Sequence, residues 1–369
     1  MHRKKLMILI WNMGVGGIQK QVRDIVVKIE KYFPRWEVHL VIKQRKRHQY
    51  FADEISRSTN TTLYYFTSSS QTSKSWRSTL WIFHCFWKIK PDVCLTFLDH
   101  LSVIVVLMRL LCFWRTTKIA LNEEVVTSTY LKLNRARPWF WKLLILVFYR
   151  WADIILVPSD ACKQDLINHF HLGGNSIQVI HNWTLLPAVS FGPRPYDLIY
   201  AGRYEREKNI LAIPPIIELV RSHKPQVQAL IIGEGSMQRM LQQEILRRQL
   251  QGNVTLLPPQ RNIAQYLSKG KVLILPTMNE GLPNIILEAA MCGMPTVCYS
   301  FAGVSEVVKD GKTGFVVNHT QAAASRVLCL LSDMKRLHAM RSRAQAFVGQ
   351  HFGPSNQDQY LDFLLNGNE

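Results

Sequence analysis

Two carboxylates and two cations carry most of the chemistry this sequence offers. Glu280 stands in the loop N-E-G-L-P-N (residues 279–284), and Glu288 follows eight residues later in an apolar stretch, I-I-L-E-A-A. Eight residues make a little over two helical turns, so both side chains can address one ligand, from a helix mouth and from two turns in. The free N–H groups and positive dipole end of that helix suit an anionic or hydroxyl-rich ligand. A lone helical Glu is ordinarily solvated. Glu288 sits among Ile286, Leu287, Ala289 and Ala290 and reads as buried, where an unpaired charge is costly. Arg203 and Lys208 stand in G-R-Y-E-R-E-K-N (residues 202–209) after an apolar run, so both cations can converge with a helix N-terminus on a diphosphate. A third candidate is the glycine loop N-M-G-V-G-G (residues 12–17), whose backbone can approach a phosphate or a sugar closely.

The elements that must position these residues follow from apolar runs and breakers. Residues 271–276 (K-V-L-I-L-P) read as a buried strand, Gly281 and Pro283 break the chain, a helix runs to about Gly293, and residues 294–299 form the next strand. The loop with Glu280 therefore lies at the carboxyl end of a strand, where open α/β sheets bind ligands. Gly14, Gly16 and Gly17 do not complete a dinucleotide fingerprint. Gln19 occupies its third glycine position, and the second strand (38–42) ends in Lys43 rather than an acid, so no nicotinamide cofactor is expected.

The string E-G-L-P-N-x3-E-A-x3-G-x-P-T-V, followed by G-x2-E-x4-G-x2-G (residues 303–314), resembles the family 4 glycosyltransferases. These are retaining enzymes of GT-B architecture marked by Glu-x7-Glu. The resemblance implies an α/β fold of two Rossmann-like doubly wound domains facing each other across a cleft. It implies that Glu280 meets the donor-sugar hydroxyls and Glu288 the ribose hydroxyls. The backbone of Gly281, Leu282, Pro283 and Asn284 would lie against sugar and phosphate, with Gly16 and Gly17 approaching from the first domain. Arg203 and Lys208 match the family's G-R-x4-K-N and would neutralise the departing nucleoside diphosphate. A UDP-sugar is the first expectation for the donor, on family frequency, and a GDP-sugar the next. No Asp-x-Asp occurs, so no metal clamp and no cofactor are expected; Arg203, Lys208 and backbone dipoles must meet the leaving-group charge. The sequence departs from the family after the strand at 118–121. Many members carry a His there, whereas this chain has Asn122-Glu123-Glu124, and His100 stands in a different strand-end loop. Two rival classes stay open: a GT-B sugar-nucleotide epimerase, and an inactive scaffold that keeps the fold.

A chain of 369 residues exceeds one compact domain. Pro187, Gly192, Pro193 and Pro195 mark a linker. Residues 1–190 are expected as an acceptor-side domain, 191–350 as the nucleotide-sugar domain, and 351–369 as a terminal helix, which the resemblance, though not the sequence itself, would return to the first. Strands are expected near 6–11, 38–42, 63–66, 92–97, 118–121, 153–158 and 176–181, then near 197–201, 227–232, 254–257, 271–276, 296–299 and 315–317. Helices between them make each half a parallel sheet. Ser159 is expected to cap a helix at 160–170, and residues 321–350 read as one helical tail.

The formal net charge is +19, and it is uneven: residues 1–190 hold 26 basic and 12 acidic side chains, against 19 and 14 in residues 191–369. The helical stretches of the first half pair aromatics with cations, most densely R-A-R-P-W-F-W-K-L-L-I-L-V-F-Y-R-W at 135–151. Such faces suit a membrane interface with anionic lipid, part of the surface packing inward. No recognition-helix or RNA-binding pattern accompanies the charge, so nucleic acid is not expected. The basic run at 43–48 reads as solvated and the polar stretch at 68–75 as a connector. Seven Cys without C-x-x-C or metal spacing fit a reduced cytosolic chain. Leu101 to Trp114, the longest apolar run, is interrupted by Arg109 and too short to span a bilayer. The expectation is an enzyme in the cytoplasm, peripheral on the inner face of the membrane, extending an envelope or lipid-linked glycan.

Overall fold

The computed structural model describes residues 3–44, 50–66, 75–97, 99–111, 116–188 and 192–366. Most of the basic run at 43–48, nearly all of the connector at 68–75 and residues 112–114 lie outside them. The chain forms two compact units, Met1–Ile180 with Gln357–Glu369, and His181–Asn356.

The first unit is built on strands β1 (Lys4–Ile10), β2 (Trp36–Ile42), β3 (Thr61–Tyr65), β4 (Val93–Phe97), β5 (Lys118–Asn122), β6 (Ile154–Val157) and β7 (Ile177–Val179). They lie in the order β3-β2-β1-β4-β5-β6-β7, all parallel. β1, β4 and β6 are near-continuous runs of buried apolar residues, as a sheet covered by helices on both faces requires. The helix Gly17–Tyr32 buries Val22, Ile25, Val26 and Ile29, the three-to-four spacing of one inward stripe. The helix Asp160–Phe170 starts where Ser159 Oγ accepts the Cys162 N–H, the expected cap.

The second unit carries β8 (Tyr196–Ala201), β9 (Ala229–Ile232), β10 (Val254–Leu257), β11 (Gly270–Leu275), β12 (Thr296–Tyr299) and β13 (Gly314–Val317). Their order is β10-β9-β8-β11-β12-β13, again parallel. β8 and β11 are neighbours at the point where the order reverses, and ligands of doubly wound sheets bind at that crevice.

Three expectations need correction. The first unit ends at Ile180, ten residues before the boundary expected at 190. The proline-rich stretch begins as a packed segment: Asn182, Trp183 and Thr184 are buried, and Thr184 N–H donates to Phe352 O at 2.9 Å. Burial of Trp183 outweighs the breakers that follow it. The tail expected as one helix at 321–350 is two, Thr320–Ser332 and Met334–His351, because Asp333 leaves the helix and its carboxylate caps the second through Arg336 N–H. The aromatic stretch at 135–151 becomes a helix only from Pro138, which occupies the first turn and has no N–H to leave unpaired.

The last helix, Pro354–Leu365, joins the first unit from Gln357 onward. Gln357 Nε2 donates to Asp24 O, Tyr360 Oη to Asn122 Oδ1 and Lys118 Nζ to Phe363 O, at 2.8, 2.8 and 2.6 Å. Leu361 and Leu364 are fully buried beside them.

Candidate active site

The carboxyl ends of β8 and β11 carry the second unit's site. β8 delivers residues 202–209, which fold into a short turn at Arg206–Lys208 with Asn209 in the left-handed region, at φ 49°. β11 delivers residues 276–283, and the helix Asn284–Met291 follows. Backbone bonds hold the two loops together. Glu207 O accepts the Met278 N–H at 2.9 Å and the Thr277 hydroxyl at 3.2 Å.

On this frame Lys208 Nζ forms an ion pair with Glu280, joining two of the residues expected to act. Both side chains are largely shielded, with 15% and 12% exposed. An ammonium has three donors and Glu280 occupies one, so Lys208 is fixed in position with donors left for a ligand. Arg203 is the open counterpart: its side chain is 60% exposed, and one guanidinium nitrogen reaches Glu207 at 2.9 Å. Glu288 lies in the helix, buried as expected. Gly281, Leu282 and Pro283 are buried, and Leu282 O accepts from Asn182 Nδ2 at 2.7 Å. Asn284 opens the helix with its Oδ1 buried and without a hydrogen-bond partner among the described residues.

Below the loops, backbone meets backbone. Gly233 and Gly235 have φ of 151° and 159°, and a Cβ on them would lie 2.0 Å from Gly202 O and 2.5 Å from Tyr204 O. Only glycine fits there. The G-E-G turn after β9 thereby supports the Arg203 loop, with Tyr204 N–H donating to Glu234 O at 2.8 Å. Tyr200 Oη donates to Arg203 O at 2.9 Å, and burial, with the Glu280 charge adding to it, pushes that hydroxyl well above its usual pKa, so it stays a donor.

The first unit holds the remaining candidates. Gly16 caps the helix Gly17–Tyr32, and Gln19 in its first turn reaches back to Asn12 O at 3.3 Å. The side chain at the missing glycine position thus ties the loop down. His100 opens the helix Asp99–Leu111, with Nδ1 3.4 Å from Asp99 Oδ1 and 3.4 Å from an Arg135 guanidinium nitrogen. Its ring meets Trp11 edge-on at 5.0 Å, and burial lowers its pKa, so it is neutral near pH 7. Glu123 is fully enclosed and accepts the Tyr149 hydroxyl, and burial pushes its carboxyl up to about 8. Glu124 accepts from Asn122 Nδ2. Glu123 is therefore tied up inside the unit, whereas His100 and Glu124 are both partly exposed.

The sequence reading passed over Glu207, Asn182 and the Asp99–Arg135 pair. Glu207 was visible as the second acid of R-Y-E-R-E-K. Asp99 and Arg135 are 36 residues apart, and no local pattern joins them.

Two parallel-sheet units with a basic loop and a Glu-bearing helix at adjacent strand ends define a GT-B fold. Residues 184–347 match the family model for glycosyl transferases group 1, and residues 15–184 that for glycosyltransferase family 4. The chain belongs to the group 1 glycosyltransferases and is a glycosyltransferase enzyme. It is similar to the N-acetylgalactosamine-N,N'-diacetylbacillosaminyl-diphospho-undecaprenol 4-alpha-N-acetylgalactosaminyltransferase of Campylobacter jejuni, at 23% identity over 361 residues, 93% of this chain and 94% of that protein. A D-inositol 3-phosphate glycosyltransferase of an Arthrobacter species is 30% identical over 221 residues, 55% of this chain and about half (52%) of the relative. The crystal structure of Anabaena HepE in complex with UDP and glucose superposes with a TM-score of 0.77 at 17% identity, covering 99% of this chain and 100% of that one.

Proposed function

We propose that the protein transfers a hexose or N-acetylhexosamine from a nucleotide sugar to an envelope or lipid-linked glycan, with retention of anomeric configuration. A UDP-sugar is the favoured donor and a GDP-sugar the next. The reaction takes place at the cytoplasmic face of a membrane. The observation that carries the reading is the Lys208–Glu280 pair in the loops after β8 and β11, with Glu288 buried in the helix that follows.

Breaking the anomeric bond leaves negative charge on the departing diphosphate. Lys208, held by Glu280, and Arg203, held by Glu207, are cations already in place before that charge develops. Preorganised donors in a shielded site stabilise such charge far more than water does. Glu280 and Glu288 are acceptor-only groups when ionised and suit sugar and ribose hydroxyls. The acceptor hydroxyl attacks the oxocarbenium-like carbon from the face the diphosphate leaves, and the departing phosphate oxygen takes its proton. The Campylobacter relative, named for an undecaprenol-linked substrate, and HepE, solved with UDP, support the choice of acceptor and base.

A thermal-shift panel of sugar nucleotides on wild type and Glu288→Ala tests the donor, because a ligand of the folded state raises the midpoint by mass action. One UDP- or GDP-sugar should stabilise wild type and lose its effect in the variant. A panel without any shift on wild type rejects the donor assignment. Proton NMR of the product then reads the anomeric configuration, and an inverted product rejects retention.

A further inference from the structure

The helix Pro138–Phe148 (P-W-F-W-K-L-L-I-L-V-F) is apolar nearly all round, yet among its residues only Ile145 is buried. A helix of that composition belongs in a core or in lipid, and only one side of this one, Ile145 with Trp141, Leu144 and Phe148 packed beside it, meets the core. Trp139, Leu143, Val147 and Trp151, each four residues after the last, are exposed at 67, 50, 48 and 55%. That is one continuous stripe, with Phe140 beside it. Eleven residues rise only ~16 Å, about half the hydrocarbon thickness, so the element cannot span a bilayer.

The stripe has neighbours facing the same way. The helices Ser75–Ile89, Asp99–Leu111 and Pro138–Phe148 all send residues into one cluster on one face of the first sheet: Ile82 and Phe86, Leu101 and Val105, and Ile145. Their opposite sides therefore point away from that face together. There Trp76, Leu80 and Trp87 are exposed on the first helix, and Leu107 and Leu111 on the second. Residues 75–89 and 138–151 contain no Asp or Glu, and the acid of the second helix, Asp99, is buried against Arg135. Arg77, Lys88, Arg137, Lys142 and Arg150 are exposed around the apolar stripe. An open surface depression lined by Leu146, Val147, Arg150 and Trp151 sets a guanidinium beside apolar side chains. That pairing matches a lipid phosphate with the start of its acyl chain.

We propose that this three-helix face is the membrane-docking surface of the protein. Pro138–Phe148 lies in the plane of an anionic leaflet, its stripe at the acyl boundary and Arg137, Lys142 and Arg150 at the phosphates. The inference rests on the membrane location in the proposed function and specifies which surface achieves it. Charge selects lipid over a second copy of the chain, since an isologous contact would set the same cations against each other, and Asp153, the exposed acid that follows the stripe in sequence, is already paired with Arg109.

The test is flotation of the full chain with phosphatidylcholine vesicles, with and without roughly 30 mol% phosphatidylglycerol. The comparison uses Leu143→Glu/Val147→Glu and Arg137→Glu/Lys142→Glu/Arg150→Glu, all at exposed positions. Wild type should float with the anionic vesicles. The first variant should bind at least about tenfold more weakly, and the second should lose the preference for phosphatidylglycerol. Wild type remaining unbound, or floating as well in both variants, overturns the proposal. So does a wild-type dimer by light scattering that Leu143→Glu/Val147→Glu dissolves without any vesicle binding. The sugar-nucleotide thermal shift, which should be equal in all three proteins, keeps the outcomes separate. Its absence with normal flotation removes the donor assignment and leaves the docking surface standing.

Discussion

The two units use the same architecture and spend their charged residues differently. In the second, the shielded Lys208–Glu280 pair and the buried Glu288 lie at and beyond the carboxyl ends of β8 and β11, and a further shielded pair, Asp197–Lys271, lies at the starts of the same two strands. In the first, the shielded pair Asp99–Arg135 and the enclosed Glu123–Tyr149 bond are closed on themselves inside the unit, while aromatic side chains face outward. A parallel sheet fixes where a ligand can sit, but not whether a buried ion serves the ligand or the fold. That depends on what else the ion touches. Lys208 is held by one carboxylate with donors to spare. Asp99 is met by Arg135 on both oxygens, at 3.2 and 2.5 Å, with His100 as well.

Substitutions should separate the two kinds of charge. The largest effect is expected for Lys208→Ala, which removes a cation placed for the leaving group. Its kcat should fall about a hundred- to a thousandfold in a transfer assay while the protein stays folded. A loss below fivefold would move Lys208 to the structural side of the comparison.

Arg135→Met should act the other way round. It leaves Asp99 buried without its guanidinium and should cost about 3 kcal/mol of stability in denaturant titration. The thermal shift given by the nucleotide sugar should survive, and its loss would tie this cluster to donor binding. Gly233→Ala comes next, at about 2 kcal/mol, because its φ of 151° and the Gly202 carbonyl both exclude a Cβ. That strain falls directly under the Arg203 loop, so catalysis should weaken with stability; an unchanged kcat would show the loop to be independent of the turn.

A pH dependence rather than a lost contact tests Glu123. Burial raises its pKa from 4.5 to about 8, so the folded protein keeps a proton that the unfolded chain releases. The group's contribution is therefore fully present below the unfolded value and is lost as pH rises toward 8. Glu123→Gln cannot lose it. Its melting temperature should fall less than that of wild type between pH 5 and pH 8, and parallel curves would refute the shift.

The sequence revealed the sheets because buried parallel strands are short apolar runs, and V-C-L-T-F or K-V-L-I-L needs no partner to be recognised. Residues 280–288 were legible for a similar reason, since loop, helix start and both carboxylates fall within one stretch. Helix ends were harder. Asp333 interrupts a helical pattern that its neighbours would continue, and Pro138 delays a helix whose sequence pattern begins at Arg135. The burial of Trp183 was hidden because three prolines and a glycine nearby spoke for a linker. Asp99 with Arg135 was out of reach, since their contact exists only once β4 and the segment after β5 are side by side.

The return of the last helix to the first unit also has a consequence for how the chain is made. Leu361, Leu364 and Tyr360 are core residues of a unit whose strands all precede residue 180. During synthesis those strands emerge first, yet their core stays incomplete until the whole second unit has followed. The second unit needs no such delay: its strands and helices leave the ribosome as one uninterrupted segment, His181–Asn356. The half of the protein made first is thus the half completed last. In the interval its Lys118 ammonium, Asn122 amide and open apolar surface lack the partners that the last helix brings. Transiently exposed apolar surface of this kind is where chaperones engage nascent chains.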